Sequence, residues 1–267
     1  MYVETRIAKV NGTQLYYEVA GNGPTLVLIH GFLLDHRMWD DQFEIFVQKY
    51  RVVRYDCRGF GNSTLPTEEA YSHADDLQAL LLHLGITQAH IVGLSMGGEI
   101  AINFALTYPE MTTTLTASDP LLDGYVAAEL NQTIAPVVER AMIAGGRAAN
   151  ALLLDHVIFA PANEQPTVRA RLEEMLTENP GWHWVNEDPL RNMDPPAVTR
   201  LQEIAVPTLV ILGERDMADF HTITAILQQN VIQARLVTLP GVGHMSNMEA
   251  PILFNSTVLS FLQQYTD

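Results

Sequence analysis

Three residues far apart in the chain, Ser95, Asp216 and His244, are of the types that carry nucleophilic catalysis, and each stands where a turn would expose it. Ser95 lies in Gly93-Leu94-Ser95-Met96-Gly97-Gly98, straight after the apolar run Ala89-His90-Ile91-Val92. A serine on a sharp strand-to-helix turn adopts a strained backbone conformation, and neighbours without bulky side chains let its Oγ stand clear. Asp216 closes Gly213-Glu214-Arg215-Asp216, and His244 lies in Gly241-Val242-Gly243-His244-Met245. A hydroxyl activated by an imidazole that a carboxylate orients is the arrangement for acyl transfer through a covalent intermediate. Asp119, in Ser118-Asp119-Pro120, rivals Asp216 as the acid, and Asp219 is close enough to serve as a control. Of nine histidines, only His244 sits in a glycine-flanked loop after the last strand-like run.

The elements that must position these residues follow from hydrophobic patterning. Strand-like runs occur at Thr13 to Val19, Thr25 to Ile29, Val52 to Tyr55, His90 to Leu94, Thr113 to Ser118, Thr208 to Leu212 and Arg235 to Leu239. Several are almost uniformly apolar, as strands buried on both faces of a parallel sheet must be. Helical patterns between them, such as Ala74 to Leu84 and Gly98 to Tyr108, supply crossovers, which predicts a doubly wound α/β sheet. In such a sheet, ligands bind outside the carboxyl ends of the strands, which is where all three residues fall. Between about Leu122 and Pro196 the alternation stops. Helical segments at Tyr125 to Ala144, Arg147 to Phe159 and Gln165 to Thr177 follow one another with no strand between, predicting a helical cap over residues 122–196 on a core of 1–121 and 197–267. A last helical pattern, Ile252 to Tyr265, follows His244.

Composition narrows the partners. The 267 residues carry 15 Lys and Arg against 31 Asp and Glu, a formal charge of −16 that repels nucleic acid and anionic membranes, so the expected partner is a small molecule. The first residues show no basic segment leading into an apolar one, no stretch is long and apolar enough to cross a bilayer, and the one cysteine, Cys57, forms no intrachain disulfide; the expectation is a cytoplasmic chain. No His-Glu-x-x-His, dinucleotide-binding or Walker spacing is present, so neither metal nor cofactor is expected.

As a set, His30-Gly31-Phe32, Asp56-Cys57-Arg58-Gly59-Phe60-Gly61, Gly93 to Gly98, Asp216 and His244 resemble the α/β-hydrolase superfamily along almost the whole chain. The resemblance implies a doubly wound, mostly parallel eight-stranded sheet with a helical cap. It implies Ser95 as nucleophile, His244 as base and Asp216 as its orienting acid, with an oxyanion hole made by the backbone N–H groups of Phe32 and Met96. It further implies structural roles for His30, Asp56 and Arg58. Candidate pocket side chains are Phe32, Leu121, Trp182, Trp184, Met217 and Met245, a mostly apolar set suited to a modest acyl chain. The expected reaction is hydrolysis of small carboxylic esters, thioesters or lactones through an acyl-serine. Alternatives on the same fold are a carbon–carbon bond hydrolase, a cofactor-free perhydrolase and a small-molecule receptor without turnover.

Overall fold

A computed structural model describes residues 3–265. Its eight strands are β1 (Glu4–Val10), β2 (Thr13–Ala20), β3 (Thr25–Ile29), β4 (Arg51–Tyr55), β5 (Ala89–Leu94), β6 (Thr112–Ser118), β7 (Thr208–Gly213) and β8 (Ala234–Leu239). They form one sheet in the order β1-β2-β4-β3-β5-β6-β7-β8. The pairs β1/β2 and β2/β4 are antiparallel and the remaining pairs parallel. All seven strand-like runs of the sequence fall on β2 to β8. The unheralded β1 is an edge strand in which Ala8 alone is buried, so it carries no core-facing alternation to detect.

The helices are α1 (Asp40–Phe46), α2 (His73–His83), α3 (Met96–Thr107), α4 (Ala128–Ala144), α5 (Gly146–Leu153), α6 (Ala160–Asn163), α7 (Pro166–Glu178), α8 (Ala218–Asn230), α9 (Ser246–Glu249) and α10 (Pro251–Leu262). The central strands β5 and β7 are buried along their whole length, because helices cover both faces of the sheet. No helix among the described residues is long and apolar enough to cross a membrane.

Between β6 and β7 the chain builds α4 to α7 without a strand, over the carboxyl end of the sheet. On α4, Leu130, Ile134, Val137 and Ala141 recur at three- and four-residue intervals and form its inward stripe, while Met142 and Ile143 face solvent. The expected helix Arg147 to Phe159 stops at Leu153 and resumes as a short 3-10 turn, Val157–Phe159, capped by His156, whose ring nitrogen accepts from the Ile158 N–H at 3.1 Å. Two helix starts brace each other here. Asp219, in the first turn of α8, accepts from the Leu130 N–H at 2.8 Å, and Glu129, in the first turn of α4, accepts from the Ala218 N–H at 2.8 Å. Each carboxylate thus satisfies an orphan donor at the positive end of its neighbour's dipole.

Candidate active site

Ser95 joins β5 to α3 with φ 58° and ψ −118°, a conformation that L-residues rarely adopt. Close backbone packing enforces it. A Cβ on Gly93 would lie 1.9 Å from the Gly97 carbonyl oxygen, and one on Gly97 would lie 2.1 Å from that of Ile29. Glycine at both flanks therefore seats the turn directly on β3. The Ser95 N–H donates to the Ser118 carbonyl at 3.0 Å, and the Ser95 carbonyl accepts from Glu99 and Leu121 at 3.1 Å each, so the strain is held by three hydrogen bonds.

His244 follows β8 and is buried, its ring 4.3 Å from that of Phe220. Its Nδ1–H donates to Asp216 Oδ2 at 2.8 Å, which leaves Nε2 as the free nitrogen, and Asp216 is fixed in turn by the Met217 N–H on Oδ1 at 2.8 Å. Burial alone would disfavour the imidazolium. The charge and hydrogen bond of Asp216, foremost among the nearby acids, outweigh burial and hold His244 above the ordinary histidine value. Asp119 is bound otherwise: it accepts from the Gly213 N–H at 2.7 Å, the Ser118 hydroxyl at 2.9 Å and the Ser246 hydroxyl at 2.6 Å. Burial, then the nearby Asp216 charge, pushes its carboxyl up to about 8. Asp219 fastens α4 and does not meet His244.

The loop after β3 brings Phe32 beside the serine, since a Cβ on Gly31 would lie 3.6 Å from Ser95 Cβ. His30 pins this loop. Its Nδ1–H donates to the Gly31 carbonyl at 2.8 Å and its Nε2 accepts from the Cys57 N–H at 2.9 Å, which fixes the tautomer. Burial keeps this ring neutral by lowering its pKa. The Phe32 and Met96 N–H groups find no acceptor among the described residues. Asp56 accepts from the His36 N–H and Nδ1–H and from the Asn62 N–H, each at 2.8 Å, and Arg58 pairs with Asp76 at 2.7 Å, so both shape loops below the site. Burial pushes the Cys57 thiol far up, well away from a thiolate.

Ser95 and His244 line one cavity of about 200 Å³. Phe32, Leu121, Trp184 and Met245 line it too, whereas Trp182 and Met217 do not. Met217 packs behind the wall with Leu212 and Phe220, and Trp182 lies edge-on to His183. The Met96 side chain lines a different cavity. The cap supplies Leu130, Asn131, Ile134, Leu153, Ile158 and Phe159, none of which had a motif to mark it.

Two supports also escaped the sequence. Glu249 accepts from the Gly243 N–H at 2.7 Å and the Met245 N–H at 3.0 Å, clamping the backbone on either side of His244. In the cap, Asn150 accepts from Trp184 Nε1–H at 2.7 Å and donates to the Leu176 and Asn179 carbonyls at 3.0 Å, while Asn179 donates to the Leu33 carbonyl at 3.2 Å. Through these amides the cap grips the loop that carries Phe32, where Leu33 is strained at φ 61°.

The sheet order, the strained serine turn and the histidine–aspartate pair define an α/β-hydrolase, and the alpha/beta hydrolase fold pattern matches residues 24–251. The chain belongs to that family and is of the hydrolase class. It is 28% identical over 280 residues to the carboxylesterase YbfK of Bacillus subtilis (strain 168), covering 98% of this chain and 86% of that protein. The enol-lactonase of Burkholderia xenovorans LB400 superposes with a TM-score of 0.82 at 27% identity, covering 97% of this chain and all of that one. Est816, an N-acyl homoserine lactone degrading enzyme, superposes with a TM-score of 0.79 at 28% identity, covering 96% of this chain and all of that one.

Proposed function

We propose that the protein hydrolyses small, uncharged carboxylic esters or lactones through an acyl-Ser95 intermediate, with residues 122–196 acting as the cap that selects the acyl group. The observation that carries this reading is the placement of Ser95 and of His244, bonded to Asp216, on one apolar cavity. Ser95 Oγ attacks the carbonyl carbon while His244 Nε2 takes its proton. The oxyanion is received by the Phe32 and Met96 N–H groups, and the protonated His244, stabilised by Asp216, returns the proton to the leaving alkoxide. Water then repeats the sequence to release the acid.

The cavity lining argues for a neutral substrate. Beyond Ser95 and His244, Asn131 is its one polar side chain among the described residues, and no lysine or arginine lines it to receive a carboxylate. A dedicated carbon–carbon hydrolase acting on a dienoate would need such a group. The carboxylesterase and the enol-lactonase to which the chain is similar are named for acting on esters and lactones. The lone, buried Cys57 is in keeping with a reducing, cytoplasmic setting.

Steady-state hydrolysis of p-nitrophenyl esters of increasing acyl length, with γ-lactones alongside, tests the reading. Wild type is expected to turn over with an optimum at short to medium chains, and Ser95→Ala to lose about 10³–10⁶-fold in kcat. Absence of turnover on every ester and lactone, together with ligand-dependent thermal stabilisation, would replace it with the receptor reading.

A further inference from the structure

The Met96 side chain lines a second cavity, of about 450 Å³, that the hydrolytic mechanism does not use. One wall is the face of α3 carrying Met96, Glu99, Ile100 and Asn103 at helical spacing; the start of α2, Asp123 and the strap Leu190 to Asp194 complete it. The strap is held over the opening, for the Arg191 N–H donates to the Tyr71 carbonyl at 2.8 Å and its guanidinium meets Asp75 at 3.1 Å.

Two acceptors here lack donors. The half-buried Glu99 carboxylate makes no hydrogen bond or ion pair among the described residues, and Asn103 Oδ1 is buried without a partner. Buried acceptors in folded proteins are nearly always satisfied, so Asn103 Oδ1, orphaned on this void beside an unpaired carboxylate, points to donors arriving with a ligand. Both guanidiniums at the rim are committed: Arg191 to Asp75 within the cavity, and Arg200 to Glu203 outside it through three contacts of 2.7–3.2 Å. Three carboxylates, those of Glu99, Asp123 and Asp194, are therefore left without a paired cation among the described residues. A compact metal ion does not suit the site, since among the described residues only Asp35, His36 and Asp56, outside this cavity, bring three ligating atoms within 4.8 Å of one another.

We propose that this cavity binds a small organic cation with N–H donors, a primary ammonium on a short aliphatic chain, with Glu99 as counter-ion, Asn103 Oδ1 as second acceptor and Met96 and Ile100 against the chain. Such a ligand sits against the residue that follows Ser95, so the site borders the serine turn while remaining separate from the acyl cavity.

Isothermal titration with n-butylammonium chloride, against butan-1-ol and sodium chloride as controls, tests this. Wild type is expected to bind the ammonium saturably. Binding should weaken at least tenfold in Glu99→Gln, several-fold in Asn103→Leu, and less than twofold in Glu139→Gln, which removes the same charge from the exposed side of α4. Burial and the Asp123 charge push Glu99 up to about 7, in a cavity that His73, Asp75, Arg191, Asp194 and Arg200 also line, so affinity should rise between pH 6 and pH 8. Equal binding of butan-1-ol, wild-type affinity in both Glu99→Gln and Asn103→Leu, or no saturable binding to wild type would each overturn the proposal.

Discussion

Two buried carboxyl groups near His244 divide the work. Asp216 takes the hydrogen bond, while Asp119, at the end of the neighbouring strand, is held by Gly213, Ser118 and Ser246 instead. As the proposed base, His244 must be neutral to accept the Ser95 proton, so kcat/KM should fall on the acid side with a midpoint above the ordinary histidine value of about 6.5. Asp119 couples stability to pH as well. Folded Asp119 keeps its proton up to about 8, whereas the unfolded chain releases it near 4. The folded form binds more protons across that window, so this contribution is complete below about pH 4 and is lost as pH rises through about 8. Calorimetry at pH 5 and pH 9 should therefore find the Tm of Asp119→Asn rising relative to wild type as pH increases. The opposite trend would show that Asp119 is ionised throughout.

At the level of elements, the cap is placed by two helix starts that cap each other, and the α4 residues Leu130, Asn131 and Ile134 reach the cavity only because that contact sets where α4 begins. Asp219→Ala removes the acceptor for the Leu130 N–H and should cost about 1 kcal/mol of stability, the usual loss for a helix cap. It should raise KM for the ester substrate several-fold with kcat largely kept, because the triad geometry is set elsewhere. A loss confined to kcat in steady-state kinetics would instead make Asp219 part of the proton relay. Trp184 couples the same helices to the loop that carries Phe32, through its hydrogen bond to Asn150 and an edge-on contact with Phe32 at 5.5 Å.

For the molecule as a whole, the formal charge of −16 surrounds an acyl cavity that carries no cationic side chain among the described residues. Long-range repulsion should slow the approach of anionic esters and leave neutral ones unaffected. Raising ionic strength from about 10 mM, where the Debye length is near 30 Å, to about 0.15 M, where it is near 8 Å, should increase kcat/KM for a hemisuccinate ester. The neutral ester of matched length should stay flat. An equal response of both would place the effect in the protein's stability rather than in encounter.

Patterning along the chain is enough for the sheet and marks the serine turn, because both are written in short-range terms. Buried parallel strands must be apolar throughout, and a serine in a strained turn needs glycine where a Cβ would strike the backbone, at Gly93 and Gly97. Asp216 and His244 were legible from their places after β7 and β8, which topology brings to one end of the sheet. Packing alone shows which acid faces His244, since Asp119 and Asp216 both follow strands and differ in the donors packed around them. It also decided that Trp182 and Met217 stand off the cavity, that Glu249 and the Asn150–Asn179 pair hold the loops, and that Glu99 faces a second void. Those outcomes depend on contacts between residues from roughly five to nearly 150 positions apart, and no local pattern of apolar and polar residues encodes which side chains meet across such spans.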